Sequence, residues 1–222
     1  MTATVADRVV TNGSEAGAAD ASEPAVKVTR RRIDTILIWL GVATTAVLVI
    51  AGALLQWGNS FAEDYVRDEL SAQNITFPDA DSLTGQGRDD LVQYADQQVT
   101  TGEHAEAYAS YIGGHIEGIA EGQTYAELGG PERAAEAAVA DAIESGAPAA
   151  EVEALEAEAA ELSAQRESIF RGEMLRGALL NTYAWSVIGR IAGIAAVVAF
   201  AASAIMFLLV AAGVFHVRRA AR

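Results

Sequence analysis

The side chains that most often do chemistry are sparse in this sequence. His104, His115 and His216 are its only histidines and cysteine is absent, which removes thiolate metal sites, thiol nucleophiles and disulfides together. His104 and His115 are eleven residues apart; on one straight helix they share a face but stand about 16 Å apart, too far to hold one metal ion. No H-E-x-x-H, no G-x-S-x-G and no phosphate-binding glycine loop occurs. Acids are abundant but lack the D-x-D-x-D-G spacing that arranges oxygen ligands around calcium, and no catalytic carboxylate pair stands out among them. Tyr111 and His115, an i, i+4 pair, join Tyr108 and Tyr125 as the one candidate cluster, suited either to a small ligand pocket or to ordinary packing. No catalytic, cofactor-binding or metal-binding residue is assigned, no cofactor is expected, and the expected protein is not an enzyme.

The elements that must position these residues follow from the distribution of charge. The 222 residues combine 51% apolar side chains with a net charge of −15. Such acidity disfavours nucleic acid, whose binding depends on neutralising phosphates. The two properties are segregated along the chain. Residues 33–57 hold one charge, Asp34 at the very start, and residues 191–215 hold none. At about 1.5 Å per residue, each run of 25 residues is long enough to cross a hydrocarbon core about 30 Å thick. A cleaved signal peptide is the competing reading of the first run. Its length, the basic tail before it and the lack of a small-x-small cleavage site favour an uncleaved span.

Orientation follows from the bases. Lys27, Arg30, Arg31 and Arg32 precede the first run, and Arg218, Arg219 and Arg222 follow the second, so both termini are expected in the cytoplasm and residues 58–184 outside. That outer segment carries 25 acids against 6 bases, a net of −19. Trp57, Tyr183 and Trp185 read as an outer aromatic belt at matching depth, and Arg190 as a side chain snorkelling to the outer interface. The expected fold is an all-α membrane protein, two antiparallel transmembrane helices carrying a helical extracytoplasmic domain. Its parts are a disordered cytoplasmic tail (1–32), a first transmembrane helix (33–57), the acidic outer domain (58–184), a second transmembrane helix with its outer interfacial turn (185–215) and a basic cytoplasmic tail (216–222).

Within the outer domain, Asn59 or Ser60 is a candidate cap for a helix presenting Phe61, Tyr65 and Leu70 on one face. ITFPDADSLTGQG reads as an extended stretch and a loop, followed by a helix from Arg88 and a longer one after Thr101 that Gly113 and Gly114 weaken and Gly122 closes. Residues 131–166, nearly all Ala, Glu and aliphatics, read as two helices joined at Ser145-Gly146-Ala147-Pro148, with Pro131 and Pro148 in first-turn positions. Val152, Leu155, Ala159, Leu162 and Ile169 approximate a heptad stripe with Val139 and Ile143 as partner face, favouring an intramolecular hairpin over an intermolecular coiled coil. In the second span, Gly189, Gly193 and Ala196 form a small-residue stripe, ended by Phe200, whose natural partner is the first span. The second span is expected to extend outward as one long helix.

Several segments resemble a group of small actinobacterial two-span membrane proteins of unknown function. The matching positions include Ile75 and Thr76, Gln98 and Val99, Ala107 to Ala109, His115, the run Thr124-Tyr125-Ala126-Glu127-Leu128, and Leu175-Arg176 with Ala178-Leu179. The Thr124 to Leu128 run is the most specific piece, and residues 131–166 look like an insertion relative to the group. The resemblance implies the two-span architecture. Some members are labelled aromatic ring-opening dioxygenases, a chemistry that needs a His and carboxylate metal set not recognisable here. The expected function is therefore that of an envelope interaction or accessory protein, with the lipid bilayer and a protein partner or second copy as its contacts. The alternative is an extracytoplasmic ligand- or ion-binding module.

Overall fold

The computed structural model describes residues 30–220. Of the tail expected to be disordered (1–32), residues 1–29 with Lys27 lie outside the described residues, as do Arg222 and the side chains of Arg30 and Arg31, whereas residues 30–32 are already helical as the start of α1. Among the described residues all regular elements are helical. They are α1 (Arg30–Gln73), α2 (Ala80–Gly85), a 3-10 helix (Asp89–Tyr94), α3 (Gly102–Ile119), α4 (Tyr125–Ser145) and α5 (Ala149–Ala220). The two apolar runs lie in α1 and α5, each long and apolar enough to cross a membrane, and only 11% of either apolar window is buried within the protein. A core helix of a soluble protein hides such a surface; these two leave it bare.

α5 is the spine of the molecule. Its 72 residues rise about 108 Å, and α1, α3 and α4 all pack along it. Ile38 adjoins Gly213, Gly41 meets Val210, Gly52 meets Phe200, Asn59 meets Gly193 and Ala62 meets Gly189, so numbers rise along α1 as they fall along α5. The expected small-residue stripe thus packs on α1: Gly189 and Ala196 are buried, and Phe200 closes the stripe by lying over Gly52. Beyond that, Tyr183 and Ser186 meet the start of α3, Gly172 meets Ile116, and Arg166 meets Gly129 of α4.

α1 departs from expectation at residues 59–60. No helix starts there, because α1 runs unbroken to Gln73, offering Ala62, Val66 and Leu70 to the core. Phe61 and Tyr65 are not on that face. They stack on Trp57 as an exposed ladder, with ring centroids 5.8 Å (Trp57–Phe61) and 6.1 Å (Phe61–Tyr65) apart. The helix ends where Asn74 turns to a φ of 57°. The segment that follows is more ordered than a loop: Thr76 bridges to Gln98, the Val99 N–H donates to the Ile75 carbonyl at 2.8 Å, and α2 forms under an Asp79 cap. The helix expected from Arg88 shrinks to the 3-10 segment, because the chain reverses at Asp96 (φ 59°) to reach that bridge.

α3 starts at its Thr101 cap as expected, runs through Gly113 and Gly114 and ends at Ile119, with Gly122 (φ 85°) closing the turn just beyond it by donating its N–H to the Glu117 carbonyl at 2.8 Å. α4 starts before Pro131, not at it. Thr124 and Glu127 cap each other reciprocally, a start signal strong enough to carry the helix through Pro131 at the loss of one backbone bond. The 145–148 turn forms where expected, with Gly146 in the left-handed conformation at φ 70°. Val152, Leu155, Ala159 and Leu162 are half-buried and Ile169 is fully buried. On α4, Ile143 is exposed and Ala142 is buried in its place.

Candidate functional site

The residues singled out on α3 belong to a continuous stack of rings under the 75–99 segment. Phe77 packs on Tyr94 at 5.3 Å and edge-on to Tyr108 at 5.2 Å; Tyr108 meets Tyr111 at 5.4 Å, and Tyr111 meets His115 at 4.4 Å. His104 closes the other end against Tyr94 at 5.5 Å. Tyr111 is buried with Leu83 and Leu91, while Phe77 and Val99 join Val66, Leu70 and Leu179 in the adjoining core. The rings pack directly on one another, with Tyr111 buried, Tyr94, His104 and Tyr108 half-buried and His115 exposed. Phe77 and Tyr94 complete a cluster that helical spacing within α3 could not have included, because these two rings arrive from another segment, whereas His104 lies on α3 itself, four residues before Tyr108.

Polar atoms around the stack are spent on structure. The Tyr94 hydroxyl donates to Glu103 at 2.8 Å, and this bond holds the phenol above its ordinary pKa. Burial pushes Tyr108 in the same direction. His104 Nδ1 lies 3.0 Å from the Gln98 carbonyl, and His115 Nδ1 lies 3.2 Å from that of Tyr111. Arg88 clamps the segment to α3, donating to both Asp90 oxygens (3.0 and 2.9 Å), the Ser110 carbonyl and the Ser110 hydroxyl. The Asp90 side chain raises the Arg88 pKa, and Arg88 in turn holds the Asp90 carboxyl below the usual range. Among the described residues, no group of three His, Cys, Asp or Glu side chains gathers closely enough to hold a metal.

Tyr125 is not part of this cluster. Its ring meets Phe170 at 5.7 Å, tilted by 46°, beneath the Arg166 guanidinium, 4.1 Å from its ring centre. α4 begins beyond the turn that follows Ile119, and its capping box turns Tyr125 toward α5. In the Thr124 to Leu128 run, Thr124 and Glu127 cap the helix, Tyr125 seats Arg166, and Leu128 is 1% exposed beside Ile169.

The membrane-interface set also rearranges. With Gly189 against Ala62, Trp185 stands level with about residue 66, roughly 13 Å beyond Trp57 along α1. Trp57, Tyr183 and Trp185 therefore do not stand at one height along α1; the Trp57–Phe61–Tyr65 ladder spans the interval. Arg32, Arg190, Arg218 and Arg219 are exposed, the last two in the final turn of α5, where basic side chains favour the helix dipole. No protein family, curated protein or solved structure matches the chain.

Proposed function

We propose that this chain is an integral membrane protein of two antiparallel spans, residues 33–57 and 191–215, with both termini cytoplasmic. Its outer domain, residues 58–184, works by contact with another protein and catalyses no reaction. One observation carries the contact role: the face of α5 turned away from α1 and α3 is largely apolar and exposed from Phe170 into the interfacial turn that begins at Trp185. Phe170, Met174, Trp185 and Ile188 are 45%, 61%, 45% and 56% exposed and fall on one helical stripe, with Phe170 meeting Tyr125 of α4 on one side and Asn181 as the polar residue among them. Gly177, Ala178 and Ala184 lie between them, small enough for another helix to approach closely. An apolar stripe facing water marks an interaction surface, and a helix continuous with the span holds it at a fixed height.

The Ala/Glu hairpin of residues 131–166 forms the far end of this rod. About 63 Å of α5, residues 149–190, precede the second apolar run. A pocket shared by Tyr108, Tyr111, His115 and Tyr125 finds no support, since Tyr125 faces Phe170 and Arg166. The test is crosslinking of the full chain in native membranes and mild detergent. A reproducible crosslinked species, with a second copy or another protein, that disappears in Met174→Glu while helicity is kept is the expected result. Monomer alone under both conditions overturns the reading.

A further inference from the structure

Where α1, the start of α3 and α5 converge just beyond the apolar runs, the structure forms an open polar cavity of about 380 Å³. Its walls carry two guanidiniums, Arg67 and Arg190, and two carboxylates, Glu63 and Glu103. α3 reaches this near to α5 only because residue 102 has no side chain: a methyl there would collide with Ser186. Arg190 and Glu63 take part in none of the ion pairs found among the described residues. Arg67 spends one nitrogen on Asp64 at 3.2 Å and Glu103 one oxygen on the Tyr94 hydroxyl at 2.8 Å. Each of the four therefore keeps free hydrogen-bonding capacity. Arg190 directly precedes the apolar run 191–215, which puts the cavity at the level of lipid headgroups.

We propose that this cavity holds the headgroup of an aminophospholipid, its phosphodiester on Arg67 and Arg190 and its primary ammonium on Glu63 and Glu103. The proposal rests on the membrane reading above. Guanidinium groups match phosphate oxygens in charge and in geometry. The four side chains sum to zero charge, so a zwitterion leaves none uncompensated. A free phosphate or an acidic lipid would set an anion against both carboxylates, in an outer segment already at −19. A primary ammonium offers three donors to carboxylates and to the Thr100 and Thr101 hydroxyls. A quaternary ammonium offers none and is held by aromatic faces instead, and no Phe, Tyr or Trp lines this cavity.

The test is native mass spectrometry of the full chain released from micelles doped with equal fractions of phosphatidylethanolamine, phosphatidylcholine and phosphatidylglycerol, with inorganic phosphate as a lipid-free arm. One phosphatidylethanolamine per chain is expected, favoured about tenfold over the other two. Arg190→Gln should lose lipid retention about tenfold, whereas Glu63→Gln should erase only the discrimination between ethanolamine and choline. Equal retention of the three lipids, a preference unchanged in both variants, or saturable binding of phosphate alone overturns the site. If Arg190→Gln does not fold, Glu63→Gln decides. Failure of the membrane reading looks different, because the chain would then be released from membranes by alkaline carbonate. A chain that stays in the membrane without headgroup preference sinks this site alone.

Discussion

Arg166 of α5 donates to the carboxylate of Glu132 across the contact with α4, the two residues being thirty-four positions apart. Their side chains are 28% and 12% exposed, and the same guanidinium lies on the Tyr125 ring and donates to the Tyr125 carbonyl at 3.3 Å. One arginine thus joins the start of α4 to the spine. Removing one partner of a largely buried pair strands the other charge. Glu132→Ala is expected to lower the stability of the α4–α5 contact by about 2 kcal/mol or more, read as faster amide exchange over residues 125–166. The double replacement Glu132→Met with Arg166→Met should cost less than the sum of the two single changes.

The contact between Gly102 and Ser186 predicts a second outcome. Gly102→Ala should destabilise the full chain in detergent by about 1–3 kcal/mol, as forced overpacking does. Ser186→Gly, which removes the atoms the new methyl would strike, should restore most of the loss. Unaltered thermal unfolding of Gly102→Ala would refute the close approach of α3 to α5.

The register of α1 on α5 is open to a direct chemical check, since the chain has no cysteine of its own. A Cβ at position 213 would lie 3.7 Å from Ile38 Cγ1, which brings the two positions near enough for a disulfide. Ile38→Cys with Gly213→Cys should crosslink on mild oxidation in membranes. Ile38→Cys with Phe200→Cys, about 20 Å out of register along the helix, should not.

Acid should loosen the segment between the two apolar runs in a defined direction. The backbone N–H and hydroxyl of Ser82 lower the Asp79 pKa, Arg88 lowers that of Asp90, and Thr124 lowers that of Glu127. A carboxylate with a depressed folded pKa stabilises the fold above its unfolded value, about 4, and loses that contribution as pH falls through the folded value. Amide protection of α2 and of the starts of the 3-10 helix and α4 should therefore be flat above about pH 5 and fall below pH 4. Asp90→Asn should weaken the Arg88 clamp at neutral pH and reduce the acid response at residues 88–94. The effect at any single site should be small, because these carboxylates face solvent.

Much of the element order was legible from residue types. The Thr101 cap, the Gly146-Ala147-Pro148 turn and the two long apolar runs are local signals, and each marks a boundary or a helix where it was expected. Other boundaries were settled by competition between local signals and packing. A cap at Asn59 or Ser60 loses to a continuous helix because Ala62, Val66 and Leu70 gain burial against the core only if α1 does not break. Pro131 loses to the Thr124–Glu127 box four residues upstream of it, whose two reciprocal bonds already define the first turn.

The candidate cluster divides for a related reason. Tyr108, Tyr111 and His115 share a face of one helix, which periodicity alone reveals, and the structure keeps them together. Tyr125 lies beyond a turn whose direction no periodicity encodes, and it ends beside Phe170, forty-five positions later. Phe77 and Tyr94 enter the cluster by the same kind of long-range closure, the Thr76–Gln98 bridge.

The sequence by itself determined where apolar length and charge reside, because hydropathy and net charge are sums over neighbouring residues and need no partner. Two helices able to cross a membrane and an acidic segment between them follow from that sum. The tertiary structure alone decided the register of α1 on α5, the seating of Arg166 on Tyr125 and the polar cavity between Arg67 and Arg190. Each brings together atoms far apart in the chain, and their placement depends on which small residues, Gly102, Gly189 and Gly193 among them, let two helices approach.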